Sequence, residues 1–477
     1  MLLEDLYRAP WHERMVGVIA DMVDSVITDD EVLIQEIQEW ENSETRANMV
    51  TGELYYRNKA DILNKEQKIK WKSNQKLAHG FAKKLVDQKI GYLLSKEPTF
   101  GTENKPYSIL IGETFDRGLL KKIKNVGKES INKGIAYLHP FFTESGGLSF
   151  MKFPSEHIIP NWADNEHMEI LSFTRVYEMT AYEGRKKVTK KKVEYYHADG
   201  IKYFIFEGGK LVPDDLAGIE LGYHFTINGE PHLWEKIPLI HFKYNEEEQP
   251  LIDSIKSLVD NYNLQASTNA DILADVPKFI YKLVNYGGVD LAEFISDLNE
   301  FMAVKLDENG DLDKLQADIE TDAVEKEIDR NRNSIYEFGR GVDTKGDELQ
   351  NAISGVALKH RYGDLDMDCN ILEAEFQSSI EHMMWFINHA FFLTGQGDYT
   401  EEKINIIFNR DIIIAETEAI DNASKSVGIL DDQTIRENHP WYTEEVEIRL
   451  KKQEVDLQKE IEGYKGTFPP KEEKVDG

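Results

Sequence analysis

The sequence predicts an α+β protein dominated by helices, and three observations carry that prediction. Apolar residues recur at three- and four-residue spacings over 30–89 and again beyond 355. Between Ile135 and Phe242 the texture changes to short β-rich runs separated by Gly, Asn and Asp. The chain has 477 residues, 41% of them hydrophobic, which is enough for a substantial core and more than one ordinary domain.

In the opening region Val32, Ile34, Ile37 and Trp40, then Leu77, Phe81, Leu85 and Val86, mark helical faces. Ile135–Leu138, Ile170–Tyr177, Lys192–Tyr196 and Tyr203–Glu207 read as strands of a sheet inserted after those helices. From Tyr244 to Pro250, three glutamates and a proline announce a helix N-terminus, because carboxylates complement the helix dipole and proline has no N–H to lose in a first turn. Leu251, Ile255, Leu258, Val259 and Tyr262 give that helix its apolar face, and Pro277 limits it.

A small α/β unit follows: a strand over Phe279–Val284, a helix over Leu291–Phe301 and a hairpin over Ala303–Leu315 turning at Asn309-Gly310. A second helix, Asp322–Phe338, returns from it, so two helices flank a compact insertion. Gly339 to Gly355 holds four glycines and little apolar periodicity, the composition of a loop. Ser354 can cap the next helix, in which Leu358, Tyr362, Leu365, Cys369, Leu372, Phe376, Ile380, Met383 and Ile387 alternate at spacings of four and three. Ending near Gly395, it would span roughly 60 Å, with Gly363 a candidate kink. A strand over Ile404–Phe408, helices over Glu416–Ser426 and Glu444–Ile461, and a frayed tail from Phe468 complete the chain.

The single cysteine, Cys369, leaves no intramolecular disulfide and no cysteine zinc site, and reads as a small buried apolar residue in a chain folded in a reducing cytosol. Met1–Asp21 lacks the pattern of a secretory signal, and no stretch reaches the roughly 18 apolar residues of a membrane span, so neither secretion nor membrane insertion is expected. With 87 acidic against 56 basic residues the net charge is -31, which argues against a protein whose task is to grip DNA by neutralising phosphates.

Chemical motifs are weak. The sequence has no phosphate-binding P-loop, no dinucleotide fingerprint, no H-E-x-x-H and no G-x-S-x-G, so nucleotide hydrolysis is not expected of it. Asp307, Asn309, Asp311, Asp313 and Asp318 imitate the spacing of a calcium loop, but Leu312 stands where the turn needs glycine and Asp318 is shorter than the usual bidentate Glu; a plain hairpin turn is favoured. Asp364, Asp366 and Asp368 would suit a metal-dependent nuclease only if they converged, yet two-residue steps on a helix separate them by roughly 200°. His382 and His389, seven apart on the long helix, read as structural histidines, and Trp71, Trp385 and Trp441 as core or subunit anchors. No catalytic residue, cofactor site or metal site is predicted.

A resemblance covers most of the length. Tyr55-Tyr56-Arg57-Asn58-Lys59-Ala60-Asp61-Ile62-Leu63, the run Val86 to Pro98, Ile237-Pro238-Leu239-Ile240, Ser254 to Asn263, Ser354 to Lys359 and Gly428 to Thr434 occur in an order and spacing that resemble the tailed-bacteriophage portal family, as typified by portals of long, flexible-tailed phages of Gram-positive bacteria. Asn58 and Ser95 depart from it, standing where such portals usually have glycine.

The resemblance implies a portal fold with wing, stem, clip and crown. Residues 1–249 and the long helix at 355–395 would form the wing, 250–275 and 319–338 the stem helices, 276–318 the clip, 339–354 a tunnel loop facing DNA, and 396–477 the crown and C-terminal tail. It also implies a closed ring, typically of twelve subunits, at one capsid vertex of the virion, assembled in the bacterial cytoplasm. Its partners would be double-stranded DNA bound without sequence specificity, the terminase large subunit, a head-tail adaptor, and scaffold and major capsid proteins. Candidate channel residues are Arg340, Asp343, Lys345, Asp347, Gln350 and Asn351 in the loop and Lys256, Arg330 and Arg332 in the stem; candidate clip contacts are Lys282, Glu293 and Asp297. The competing readings are another head-tail structural adaptor and, from the enzyme class, the metal-dependent nuclease.

Overall fold

A computed structural model describes residues 30–67, 72–214, 223–227, 229–275, 280–284, 309–315, 321–345, 362–410, 416–437, 439, 441–442 and 446–453, with isolated positions between 290 and 300. The chain divides into two compact units, residues 1–343 with 364–411, and residues 344–363 with 412–477. The architecture is α+β, as the sequence predicts.

The first unit begins with α1 (Asp30–Glu41) and α2 (Glu44–Tyr56), the second capped by Ser43, whose hydroxyl accepts from the Arg46 N–H at 3.2 Å. The buried stripe of α1 is Leu33 and Ile37, four apart, while Val32, one step around the axis, is exposed. Between α2 and α3 (Phe81–Leu93), the described residues 58–67 and 72–80 form a strap. Leu77 belongs to this strap and not to the helix, because its N–H is satisfied by Ser267 Oγ at 3.0 Å. β1 (Thr99–Gly101), α4 (Lys105–Thr114) and α5 (Arg117–Lys133) follow.

α5 starts at Asp116, whose carboxylate accepts from the Leu119 N–H at 2.7 Å, and buries Leu119, Ile123, Val126 and Ile131. It stops at Gly134, whose φ of 85° only glycine adopts cheaply and whose missing Cβ would lie 1.8 Å from the Glu248 carbonyl oxygen. Here the helix hands over to the sheets.

β2 (Ile135–Phe142), β3 (Leu148–Phe153) and β11 (Ile240–Lys243) form an antiparallel sheet in the order β11-β2-β3. β4 (Ile158–Trp162), β5 (Ile170–Glu183), β6 (Lys186–His197), β7 (Gly200–Glu207) and β8 (Lys210–Pro213) form a five-stranded antiparallel meander in sequence order. All four β-rich runs of the sequence lie in these strands. Alternation supplies the core: Met49 of α2 joins Tyr137, Phe153, Phe173, Tyr196 and Leu239, while Leu33 and Ile37 of α1 cover Val176, Val193 and Leu211. β9 (Phe225–Ile227) and β10 (Glu230–His232) make a small hairpin.

α6 (Leu251–Asp275) and α7 (Thr321–Phe338) pack on each other, with Asn331 donating to Gln265 at 3.2 Å. Between them β12 (Ile280–Val284) pairs antiparallel with β13 (Asp311–Leu315), and Asn309 takes the left-handed φ of 69° that the Asn-Gly turn predicts. The partner of β13 seen in the structure is thus β12; the proposed first arm of the hairpin, 303–308, lies outside the described residues, as do most of the positions of the helix Leu291–Phe301.

α8 (Gly363–Leu393) is 31 residues long, about 46 Å at 1.5 Å per residue. Leu365, Cys369, Leu372, Phe376, Ile380, Met383 and Ile387 are all buried, so the predicted seam is the real one. Gly363 is the first residue of the described helix; Leu358, and with it the span 355–361 on which a kink at Gly363 depends, lies outside the described residues. Cys369 is packed away, its thiol pushed up to about 12 by burial. β14 (Asn405–Ile407) pairs with β1. In the second unit α9 (Glu416–Ser426) and α10 (Asp432–Glu437) are described, with a helical stretch over 446–453; the rest of Glu444–Ile461 and the tail are not.

Three histidines, His241 buried and His139 and His382 half-buried, give the fold an acid limit. Burial holds His139 at about 4, His241 at about 3 and His382 at about 4, against 6.5 for the free side chain. Between these values the unfolded chain binds more protons than the native one, so stability rises with pH through that window and is level above it. Thermal unfolding should therefore show a constant midpoint above about pH 6.5 and a progressive fall from there toward pH 4; a midpoint unchanged down to pH 4.5 would contradict this.

Candidate functional site

The loop predicted after α7 begins on a rigid base. α7 ends with three capping bonds, Gly339 N–H to Ile335 O at 2.9 Å, Arg340 N–H to Glu337 O at 3.1 Å and Gly341 N–H to Tyr336 O at 2.9 Å. This is a Schellman closure whose left-handed residue is Arg340, at φ 46°, where glycine is usual. The glycines stand on either side of it for another reason. A Cβ on Gly341 would lie 2.1 Å from Leu85 Cδ2, and one on Gly339 2.6 Å from Leu85 Cδ1, so the backbone passes directly over α3.

Side chains of α3 then hold the turn. Gln88 donates to Val342 O at 2.7 Å and accepts from Val342 N–H at 3.2 Å, which satisfies that backbone as a strand partner would. Lys89, fully buried, donates to Arg340 O at 3.1 Å and to Asp368 Oδ2 on α8 at 2.6 Å. Tyr244 donates to the same Oδ2 at 2.8 Å, and the Arg340 guanidinium lies 3.4 Å from Oδ1. Burial lowers the Lys89 pKa, although the Asp368 carboxylate opposes that. Arg332 of α7 grips Asp343 with two bonds, at 2.6 and 3.0 Å, and Lys84 lies 3.7 Å from the same carboxylate. Residues 340–343 are thereby tied to α3, α7 and α8 at once.

The predicted channel residues fall into distinct environments. Arg340, Arg332 and Asp343 are brought together in this clamp. Lys345, two residues beyond it, is exposed; Asp347, Gln350 and Asn351 lie outside the described residues. Lys256 sits on α6 bonded to Asp61 at 2.6 Å and Asp260 at 2.7 Å, so it fastens the strap to the helix. Arg330 is exposed and pairs along its own helix with Glu327. Lys282 is exposed on β12 opposite Asp313, while Glu293 and Asp297 lie outside the described residues.

The aspartate trio separates as helical geometry requires. Asp366 is held by Arg410 and by Tyr92, whose hydroxyl donates to it at 3.0 Å; Asp368 belongs to the clamp; Asp364 is exposed. Among the described residues no group of His, Cys, Asp or Glu is arranged to hold a metal ion; Asp307 and Asp318 of the imitation calcium loop lie outside them.

Sequence reasoning missed Lys84, Gln88 and Lys89 of the clamp. The signal was available for Lys89, which lies four residues after Leu85 in the apolar stripe that also holds Val86, Ile90 and Leu93; a lysine there must meet a buried acceptor.

The model of the family described as Phage portal protein, SPP1 Gp6-like, matches residues 37–465, and the chain belongs to that family. It is 28% identical over 466 residues to the portal protein of Bacillus phage SPP1, covering 94% of this chain and 92% of that one. It is 27% identical over 445 residues to the portal protein of Clostridium phage phiCD119, covering 88% of this chain and 95% of that one. Among solved structures, a chain in the neck of a native GTA particle computed with C12 symmetry aligns at 12% identity and a TM-score of 0.38, over 75% of this chain and 88% of that one.

The clamp makes a quantitative prediction. Asp368→Asn leaves Lys89 buried without a counter-charge and should cost about 3–5 kcal/mol. Replacing both partners with apolar residues, Lys89→Met with Asp368→Leu, should cost less than the single change. Urea denaturation of the three proteins checks the order; equal losses in both variants would show that the pair is not the buried contact described.

Proposed function

We propose that the chain is the subunit of a closed portal ring through which double-stranded DNA enters and leaves a phage capsid. Family membership over residues 37–465 supports this reading, and the observation that carries it is the clamp: a glycine-flanked turn, fixed on three helices, at the point where the loop expected from the sequence begins. A loop that meets moving DNA needs a base that does not move with it. In this reading α6 and α7 are the stem, β12 and β13 belong to the clip, the clip docks first the terminase large subunit and then the head-tail adaptor, and the wing faces capsid and scaffold proteins.

The ring is a conduit and not an enzyme: the terminase supplies ATP hydrolysis, consistent with the missing P-loop. Net charge explains how a conduit avoids holding its cargo. Each copy brings -31, so phosphate meets a mainly acidic body and contacts to Lys345 and its neighbours are few and screened. Of the candidate basic channel residues, Lys256 and Arg332 are already neutralised by carboxylates of their own chain, which supports weak rather than tight contact with DNA.

End-on electron micrographs of the purified protein should show closed rings with an axial hole. Particles without a hole would favour the adaptor reading, and DNA cleavage with magnesium or manganese that is lost on Asp366→Ala would favour the nuclease. Deleting residues 346–352, which spares the clamped 340–343, should leave ring assembly intact and lower the yield of packaged DNA in a complementation assay. Normal packaging by such rings would remove the loop from the DNA path.

A further inference from the structure

One segment breaks the acidic character of the chain. Six of the eight residues from Arg185 to Lys192 are basic, at the turn and return of the β5–β6 hairpin. β4 covers β5 only as far as Arg175, and β7 covers β6 only from Lys191, so rows Met179↔Lys190 to Glu183↔Lys186 stand out as a ribbon of two strands. Tyr182 near its tip is 72% exposed, and no hydrogen bond or ion pair among the described residues engages the side chains of Arg185, Lys186 or Lys187. A bare two-stranded ribbon is marginal in water, and its exposed aromatic ring and free cations suit it to being covered.

The opposite end of the same strands holds a site of matching chemistry. An open cavity of about 1050 Å³ is lined by Ile170 and Leu171 at the start of β5 and Ala198 just beyond β6, against α8 and residues 398–406. Its carboxylates are Glu169, Glu235, Glu381, Asp398 and Glu402, against Lys236 and Lys403. Trp385 and Phe392 give it an aromatic floor, and Phe392 is 57% exposed. Buried His241 lines it with an Nδ1 that has no hydrogen-bond partner in the protein. The histidines of the wall, His241, His382 and His389, are all held below their usual range by burial, so the wall stays anionic at neutral pH.

We propose that the basic ribbon tip, residues 182–187, docks into this acidic, aromatic-floored cavity of the next copy of the chain. The tip cannot reach the cavity of its own subunit. Thirteen residues of β5 separate Ile170 from Glu183, up to roughly 43 Å of strand at 3.3 Å per residue. Donor and acceptor at opposite ends of one pair of strands suit a head-to-tail contact, and such contacts generate rings when the rotation between copies closes and open filaments when it does not. The pairing also answers the like-charge problem of assembling copies that each carry -31: the densest basic segment meets a cluster of carboxylates at the contact. Tyr182 would stack on Trp385 or Phe392 and bring a hydroxyl toward His241 Nδ1. The inference rests on the ring reading for its setting but not for its test.

Cys369 is buried, so introduced thiols report cleanly. Tyr182→Cys combined with Phe392→Cys should give, on mild oxidation, a ladder of covalent multimers in denaturing gels, with no ladder from either single variant. Closed rings in micrographs without a ladder overturn the docking and leave the ring reading standing. A ladder from open, unclosed assemblies supports the docking and sinks the ring.

In a second arm, Lys186→Glu with Lys187→Glu should weaken self-association roughly tenfold. Mixing that protein with the Glu235→Lys, Glu381→Lys variant should restore it. Undiminished assembly, together with lost retention of a short DNA duplex, would assign the tip to nucleic acid and overturn the proposal.

Discussion

The buried pair of Lys89 and Asp368 is the contact on which the geometry of the first unit turns. Lys89 reaches from α3 to α8 and, with its remaining donor capacity, to the backbone of the turn that ends α7. Three elements far apart in sequence are thus fixed through one ammonium group. The cost is desolvation of two charges, and it is met because Asp368 also accepts from Tyr244 and faces Arg340, leaving neither charge alone. An apolar contact at that point would pack as well but would leave the Arg340 carbonyl, which Lys89 now satisfies, without a donor.

The same logic explains why the turn is Gly-Arg-Gly and not simply Gly-rich. Leu85 lies beneath it, so Gly339 and Gly341 are required by contact, whereas the left-handed position belongs to Arg340. Left-handed backbone is costly for a residue with a Cβ, by about 1 kcal/mol. The guanidinium contact with Asp368 and the Lys89 bond to its carbonyl offset that cost and hold the turn in one conformation. The stiffness of the base is therefore set by a few adjacent residues.

Periodicity made most of the fold legible. The α8 seam, the α6 face, the four strands between 135 and 207 and the positive φ at Asn309 follow from spacing and turn chemistry that act locally. Failures occurred where tertiary contacts replace local ones. Leu77 fits a helical spacing but lies in a strap whose backbone is satisfied by side chains of α6, 190 residues away. Val32 fits a helical spacing too, but the stripe that the sheet covers belongs to Leu33 and Ile37. Of the candidate site, composition singled out Arg332, Arg340 and Asp343 as channel residues; it could not find that they are clamp members, because the contacts that fix the turn come from α3 and α8.

Charge connects the clamp, the strap and the ribbon. In a chain of net -31, basic residues are outnumbered by acidic ones, and several of the described ones hold the chain to itself: Lys256 on the strap, Arg332 and Lys89 in the clamp, Arg410 between Asp366 and Glu373. A cation bound by carboxylates of its own fold contributes little to attracting a phosphate, since the field of the pair falls off within a few ångströms and salt screens the remainder. The unspent cations at the ribbon tip differ in kind, because they stand at the far end of an exposed element. In the ring proposed above, cations paired within the subunit would offer little to a sliding polyanion, while Arg185, Lys186 and Lys187 at the ribbon tip would be available to another acidic surface.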